Sequence, residues 1–244
     1  MIHIGRSGST VVGDLLNQHP LMMWDREVYQ RVFRQRQYED QSLPSITDVD
    51  AVGYLVSRSR RVFSRYYGFE TKFFHLRALG MDLASYIDAL DEALPNVRFV
   101  VLKRKNTLRV VVSTLAARAT EMWNQKAYAR PRRNRVRIES DAVFVNRANC
   151  KLVDLLQEFD RDFVELKRLL AERPFLHLTY EDDVMEDPRR AYKRICDRLN
   201  MPAFTVRVRY SRANPYPLPE LIEIFEGVEA ALRRSDFEWM LKEG

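Results

Sequence analysis

Residues 1–16 read Met1-Ile2-His3-Ile4-Gly5-Arg6-Ser7-Gly8-Ser9-Thr10-Val11-Val12-Gly13-Asp14-Leu15-Leu16. Met1 to Ile4 is a short apolar run of the kind that forms a buried strand. Val11, Val12, Leu15 and Leu16 share one helical face, and the helix they define ends before Pro20. The loop between strand and helix carries two glycines. In this context the loop amides and the first helical turn converge on one point, where the helix dipole adds positive potential. A phosphate or sulfate suits that point, and a plain Gly/Ser turn is the simpler alternative. The loop is not a Walker A sequence, because Gly8-Ser9 stands where Gly-Lys would precede the closing Ser/Thr. Mg-nucleotide hydrolysis is therefore disfavoured. Arg6 instead brings a fixed charge that can grip two oxygens of a phosphate or sulfonate.

Outward from this stretch, Val97 to Leu102 and Phe175 to Tyr180 read as further buried strands, and Phe69 to Phe74 as a fourth strand carrying two charges. Helical spacing runs over residues 48–66, 82–90, 106–118, 149–170 and 188–199. Strands alternating with helices predict an α/β fold with a parallel sheet. The 244 residues, 46% of them apolar, suffice for one large domain over 1–244. A net charge of +6 calls for an anionic partner: nucleic acid, a membrane surface or a phosphate-rich small molecule. Cys150 and Cys196 have no Cys or His at metal-ligand spacing and read as buried thiols. No signal-peptide pattern opens the chain, and no apolar run approaches the ~18 residues of a transmembrane segment, so a cytoplasmic protein is expected. The Arg-rich stretch Asn124 to Arg137 around Pro131 reads as a mobile basic loop.

A second basic cluster, Lys103-Arg104-Lys105, ends the Val97 strand, and Ser113 follows nine positions after Arg104. Nine residues make two and a half helical turns, so Ser113 does not lie over Arg104 by period alone. A solvated strand end and a tolerated helix serine remain the simpler reading.

The loop Gly5 to Thr10, followed by Leu15-Leu16-Asn17-Gln18-His19-Pro20, resembles the donor-phosphate loop of sulfotransferases that use PAPS, 3′-phosphoadenosine 5′-phosphosulfate. The likeness is greatest to the bacterial carbohydrate type exemplified by trehalose and Nod-factor sulfotransferases. It implies a P-loop-type three-layer sandwich, with Arg6, Ser7, Gly8, Ser9 and Thr10 on the donor's 5′-phosphate. The stretch from Arg104 to Ser113 resembles the family's second signature, which implies that Arg104 and Ser113 hold the 3′-phosphate. Arg212, in Arg212-Ala213-Asn214-Pro215-Tyr216-Pro217-Leu218, sits in what resembles the late basic loop over the donor. Leu178 to Asp183 resembles the Tyr-Glu-Asp-Leu stretch, where Tyr180 and Glu181 serve architecture.

Sulfuryl transfer needs an acceptor oxygen in line with the departing phosphate, a base beside that oxygen, and positive groups on the leaving side. It requires no metal. Arg6 and the loop amides suit the leaving phosphate. Glu27 corresponds by resemblance to the glutamate at the acceptor hydroxyl; the alternative is a surface carboxylate paired with Arg26 or Arg31. His75 is the rival base. His3 and His177 are expected in the core with their hydrogen bonds satisfied, and His19 at a helix end. Tyr29 to Tyr38, with Arg31, Phe33, Arg34 and Arg36, reads as the lining of a small-molecule or glycan acceptor site, or as an amphipathic surface helix. The acceptor by resemblance is a sugar hydroxyl. A P-loop small-molecule kinase needing Mg²⁺ and a non-enzymatic RNA-binding protein using Tyr128 and Arg130 to Arg137 are the competing readings. The missing lysine, and arginines that end strands or enter helices, favour the transferase with no nucleic-acid partner.

Overall fold

The structure, a computed structural model, describes residues 1–30, 32–33, 50–145 and 148–242. These form two compact units, one of residues 1–103 and 165–207, the other of residues 104–164 and 208–244.

The first unit is built on a five-stranded parallel sheet of β1 (Ile2–His3), β2 (Met22–Glu27), β3 (Tyr66–Lys72), β4 (Phe99–Lys103) and β5 (Phe175–Thr179). The spatial order is β2-β3-β1-β4-β5. Parallel strands need crossovers, and helices flank the sheet to give the α/β three-layer arrangement. Helix Ser9–Leu16 packs with Arg189–Arg198, and Ala51–Ser59 with Leu83–Ala93. The chain leaves β1 to one side, returns through β3, and continues to the other side through β4. β1 thus stands at the switch point, outside whose carboxyl end ligands bind in such sheets.

The structure moves several sequence-derived boundaries. β2 was not foreseen, because Met22-Met23-Trp24-Asp25-Arg26-Glu27 puts three charges in six residues, and only its pairing with β3 makes it a strand. The strand expected over 69–74 begins at Tyr66 and stops at Lys72; Phe73 and Phe74 open the helix Phe73–Ala78. The expected helix from residue 48 is Ala51–Ser59, with Asp50 Oδ1 accepting the Gly53 N–H at 2.8 Å; residues 48 and 49 lie outside the described residues. His19 is buried with both ring nitrogens engaged, at the Leu21 N–H and the Pro202 carbonyl; His3 is buried with Nδ1 on the Gly5 N–H and Nε2 in close but poorly aligned contact with Glu70 Oε2. His177 corrects its expectation. It lies on an outer strand, half-buried, and its Nε2 has no partner among the described residues. Partial burial, then nearby Lys167 and Lys103, push its pKa down. Cys196 is buried and Cys150 only half so.

The second unit holds helix Leu108–Thr120, a hairpin of Val143–Val145 with Ala148–Cys150, and the C-terminal helices Leu218–Leu221 and Phe225–Leu232. Its core includes Val110, Val111, Leu221, Ile222, Val228, Leu232 and Met240. The stretch 124–137, expected as a mobile loop, is pinned. Gln125–Lys126 pairs antiparallel with Tyr210–Ser211, Val136 bridges Ile222, and Arg133 pairs with Glu220 at 3.0 Å. Two of its exposed arginines reach acceptors in the same unit, Arg133 on the Glu220 carboxylate and Arg135 on the Ile222 and Glu223 carbonyls.

Gly13, inside helix Ser9–Leu16, marks a close helix-to-sheet contact. A Cβ there would lie 2.6 Å from Trp24 Nε1 and 2.8 Å from Glu70 Oε1. Alanine gains about 1 kcal/mol of helix propensity over glycine, while overpacking a filled core costs about 1–3 kcal/mol. Both clashing atoms belong to a buried hydrogen bond, so the second effect wins. Gly13→Ala is expected to lower stability by up to about 2 kcal/mol in urea denaturation.

Candidate active site

The loop after β1 takes a conformation its glycines permit. Gly5, Arg6 and Gly8 have φ of 92°, 50° and 84°, in the left-handed region where glycine carries no Cβ penalty. Gly8 caps helix Ser9–Leu16, and a Cβ on it would lie 2.7 Å from Val184 Cγ1 and 3.0 Å from Tyr180 Cδ2. Tyr180 therefore walls the loop, in keeping with an architectural role. The helix's first amides have no intrahelical acceptor. Ser7 in the loop is fully buried, and its Oγ has no hydrogen-bond partner among the described residues.

A lysine reaches the loop from another strand. Lys72 ends β3 opposite His3 in the parallel register. Its side chain lies against Gly5, where a Cβ would be 3.4 Å from Cε and 3.6 Å from Nζ. The ammonium donates to Glu27 Oε1 at 2.6 Å. Sequence reasoning missed Lys72 because the Walker pattern looks for the lysine inside the loop. The available signal was the strand's period of two, which puts 68, 70 and 72 on one face.

Glu27 reaches Lys72 through a bulge. Trp24 pairs with Gly68 and Glu27 with Glu70, so three steps on β2 match two on β3, and Arg26 takes φ of 24°. Without the extra residue, Arg26 would stand opposite Glu70, and such bulges re-aim a side chain. Glu27 pairs with Lys72, a partner outside the alternative of Arg26 or Arg31; Arg31 lies outside the described residues.

His75, the rival base, is fully buried, with Nε2 at 3.8 Å from Glu27 Oε2, beyond hydrogen-bonding range. Its Nδ1 accepts the Lys72 backbone N–H at 3.3 Å, which leaves the neutral ring's proton on Nε2, facing Glu27. The two candidate bases are thus neighbours around one lysine, and Glu27 is the one with exposure, 31% of its side chain. Asp25 is engaged structurally: it accepts from the Tyr67 hydroxyl at 2.8 Å and pairs with Arg58. Burial, then the bond to Asp25, push the Tyr67 phenol up.

Beneath the loop lies a buried carboxylate. Glu70 Oε1 accepts the Trp24 indole N–H at 2.8 Å, Oε2 stands 3.2 Å from His3 Nε2, and the Ser9 side chain bonds to it as well. Burial alone would push the Glu70 carboxyl up; His3, Trp24 and Ser9 outweigh it and hold the pKa down to about 2.

Of the predicted acceptor lining, Tyr29 and Phe33 are core residues. The Tyr29 hydroxyl bonds to the Ala51 carbonyl and the Tyr86 hydroxyl. Residues 34–38 lie outside the described residues.

In the second unit, Arg104 is buried, as is Ser113 on helix Leu108–Thr120. Asn106 fixes the helix start, Oδ1 accepting the Arg109 N–H at 3.1 Å and Nδ2 donating to the Met240 carbonyl at 2.8 Å. Arg212, half-buried, follows the Tyr210–Ser211 strand. The described residues contain no group of three or more His, Cys, Asp or Glu able to hold a metal ion, and no helix long and apolar enough to cross a membrane.

A parallel sheet whose switch-point strand runs into a glycine loop and a helix N-terminus, with a lysine and a carboxylate at the loop's edge, defines a phosphate-loop α/β protein. The chain matches the model of the sulfotransferase family over residues 4–205 and belongs to that family. It is thereby a transferase of sulfuryl groups rather than the kinase also weighed from the sequence. No curated protein matches it.

The depressed Glu70 pKa fixes a sign. A carboxylate whose folded pKa lies below its unfolded value stabilises the fold above the unfolded value, and this contribution is lost as pH falls through the folded one. Wild-type stability is therefore expected to drop by about 3 kcal/mol between pH 4.5 and about 2 beyond the loss shown by Glu70→Gln. Denaturant melts of both proteins across that range test it.

Proposed function

We propose that the protein transfers the sulfuryl group of PAPS to a hydroxyl of a carbohydrate or other small-molecule acceptor by in-line displacement, with the whole chain, 1–244, acting as one sulfotransferase domain. The observation that carries this reading is the placement of Lys72 against Gly5 with Glu27 bonded to it, a cation and a base at the edge of one anion-binding loop. The loop fits a phosphate. Its amides face no helical acceptor, Gly8 leaves no room for a Cβ, and the buried Ser7 hydroxyl has a vacancy that a donor oxygen would fill.

When bound, the donor supplies a sulfuryl group on a phosphate leaving oxygen. Arg6, the amides of Ser7 to Thr10 and the Lys72 ammonium stabilise the charge that gathers on that phosphate. The Ser9 hydroxyl is already committed to Glu70, so Ser9 serves through its amide. Glu27 takes the acceptor's proton. In doing so it loses its charge, which loosens its hold on Lys72 and frees the ammonium for the leaving group. His75, buried and with Nδ1 engaged, orients this pair. Arg104 and Ser113 hold the 3′-phosphate, with Arg212 beside the donor, as the motif resemblance implies. A sugar hydroxyl is the leading acceptor on the same ground.

Two measurements test this. By calorimetry without Mg²⁺, the wild type should bind adenosine 3′,5′-bisphosphate at least tenfold more tightly than 5′-AMP, and Arg104→Ala should abolish that preference, since a charge-assisted phosphate contact is worth about 1.5–3 kcal/mol. Equal affinities, or a requirement for Mg²⁺ and ATP, would exclude PAPS as donor. In an acceptor screen with PAPS, Glu27→Gln should cut kcat by about 10²–10⁴ while bisphosphate affinity stays within about threefold. A glutamine variant of full activity would remove Glu27 as the base.

A further inference from the structure

We infer that the buried pair His3 and Glu70 positions the donor loop, by fixing which way the Gly5 amide points. The inference rests on the reading of that loop as the donor-phosphate site. The Gly5 N–H donates to His3 Nδ1 at 3.0 Å. An imidazole nitrogen that accepts carries no proton, so the ring's proton sits on Nε2, which faces Glu70 Oε2 at 3.2 Å. The carboxylate, with no proton to donate, selects this tautomer, as a second partner does for any histidine. Glu70 also takes the Ser9 side chain, and its Oε1 lies 2.8 Å from where a Gly13 Cβ would be. One carboxylate thereby contacts the ring that holds the first residue of the loop, through His3, and the first residue of the helix, through Ser9, while the helix body packs closely over it at Gly13.

The charge makes the inference discriminating. An ionised carboxylate beneath an anion-binding loop opposes the anion by simple Coulomb repulsion. If charge were all that mattered, removing it would tighten donor binding. If Glu70 acts by position, removing it weakens donor binding, because a glutamine amide facing Nε2–H turns the ring to its other tautomer and the Gly5 acceptor is lost.

Two histidine substitutions separate the bonds. In His3→Asn the side-chain oxygen can replace Nδ1 as acceptor for Gly5, without the link to Glu70. In His3→Gln the amide can replace Nε2 as donor to Glu70, without the acceptor for Gly5. Affinity for adenosine 3′,5′-bisphosphate is expected to fall about tenfold in His3→Gln and in Glu70→Gln, and less than about threefold in His3→Asn. Amide hydrogen exchange reads the loop without ligand. Gly5 protection should fall in His3→Gln and Glu70→Gln and persist in His3→Asn. Tighter bisphosphate binding by Glu70→Gln, or Gly5 protection unchanged in His3→Gln, overturns the inference. If Glu70→Gln does not fold, the histidine pair carries the test. If the wild type binds no bisphosphate yet Gly5 protection follows the expected pattern, the donor reading fails and the positioning of the loop stands.

Discussion

The parallel pairing of β1 with β3, Ile2 opposite Thr71 and His3 opposite Lys72, is the constraint on which the rest of the site depends. β1 delivers the glycine loop at its carboxyl end, and β3 ends at the same level. The pairing therefore places Lys72 against Gly5 and Glu70 under the loop, although these residues are more than 60 positions apart in the chain. A shift of one residue in this register would send Gly68, Glu70 and Lys72 to the opposite face of the sheet. The bulge on β2 makes the complementary adjustment, turning Glu27 rather than Arg26 toward the lysine.

Charge is layered around the loop. Glu70 lies buried below it with hydrogen bonds from Trp24, His3 and Ser9, arranged so that ionisation survives burial. Lys72 and Glu27 lie at its edge as an ion pair, Lys72 largely buried and Glu27 one-third exposed. A buried carboxylate without such partners would take up a proton instead. The outer pair is coupled because its two charges depend on each other: protonating Glu27 would release Lys72. The inner one is rigid because every oxygen is spoken for.

Much of this was legible from particular residues. Gly5 and Gly8 flanking Arg6, ahead of an amphipathic turn that stops at Pro20, announced strand, loop and helix. The apolar runs before Lys103 and Tyr180 announced two more strands of a parallel sheet. What escaped was whatever depended on a partner far along the chain. β2 carries too many charges to read as a strand alone, because the bonds that offset the cost of Asp25 and Glu27 come from Tyr67, Arg58 and Lys72. The stretch 124–137 read as a mobile loop because the partners that hold it, Tyr210–Ser211, Ile222 and the acceptors of Arg133 and Arg135, lie about 85 to 88 residues later. Tyr29 and Phe33 resembled a ligand surface because a sequence does not show which face of an aromatic segment is covered.

Fold class, family and the place of the glycine loop between strand and helix were readable one segment at a time, since they follow from short-range periodicity, glycine placement and local motif order. It took the folded sheet to bring Glu27 and His75 side by side around Lys72, to carry that lysine from β3 to the loop, and to set the Gly5 amide on His3. The physical reason is range. A period of two or 3.6 residues is written in adjacent side chains, whereas the tautomer of His3 and the aim of Glu27 are set by hydrogen bonds and strand register between segments that meet only when the sheet forms.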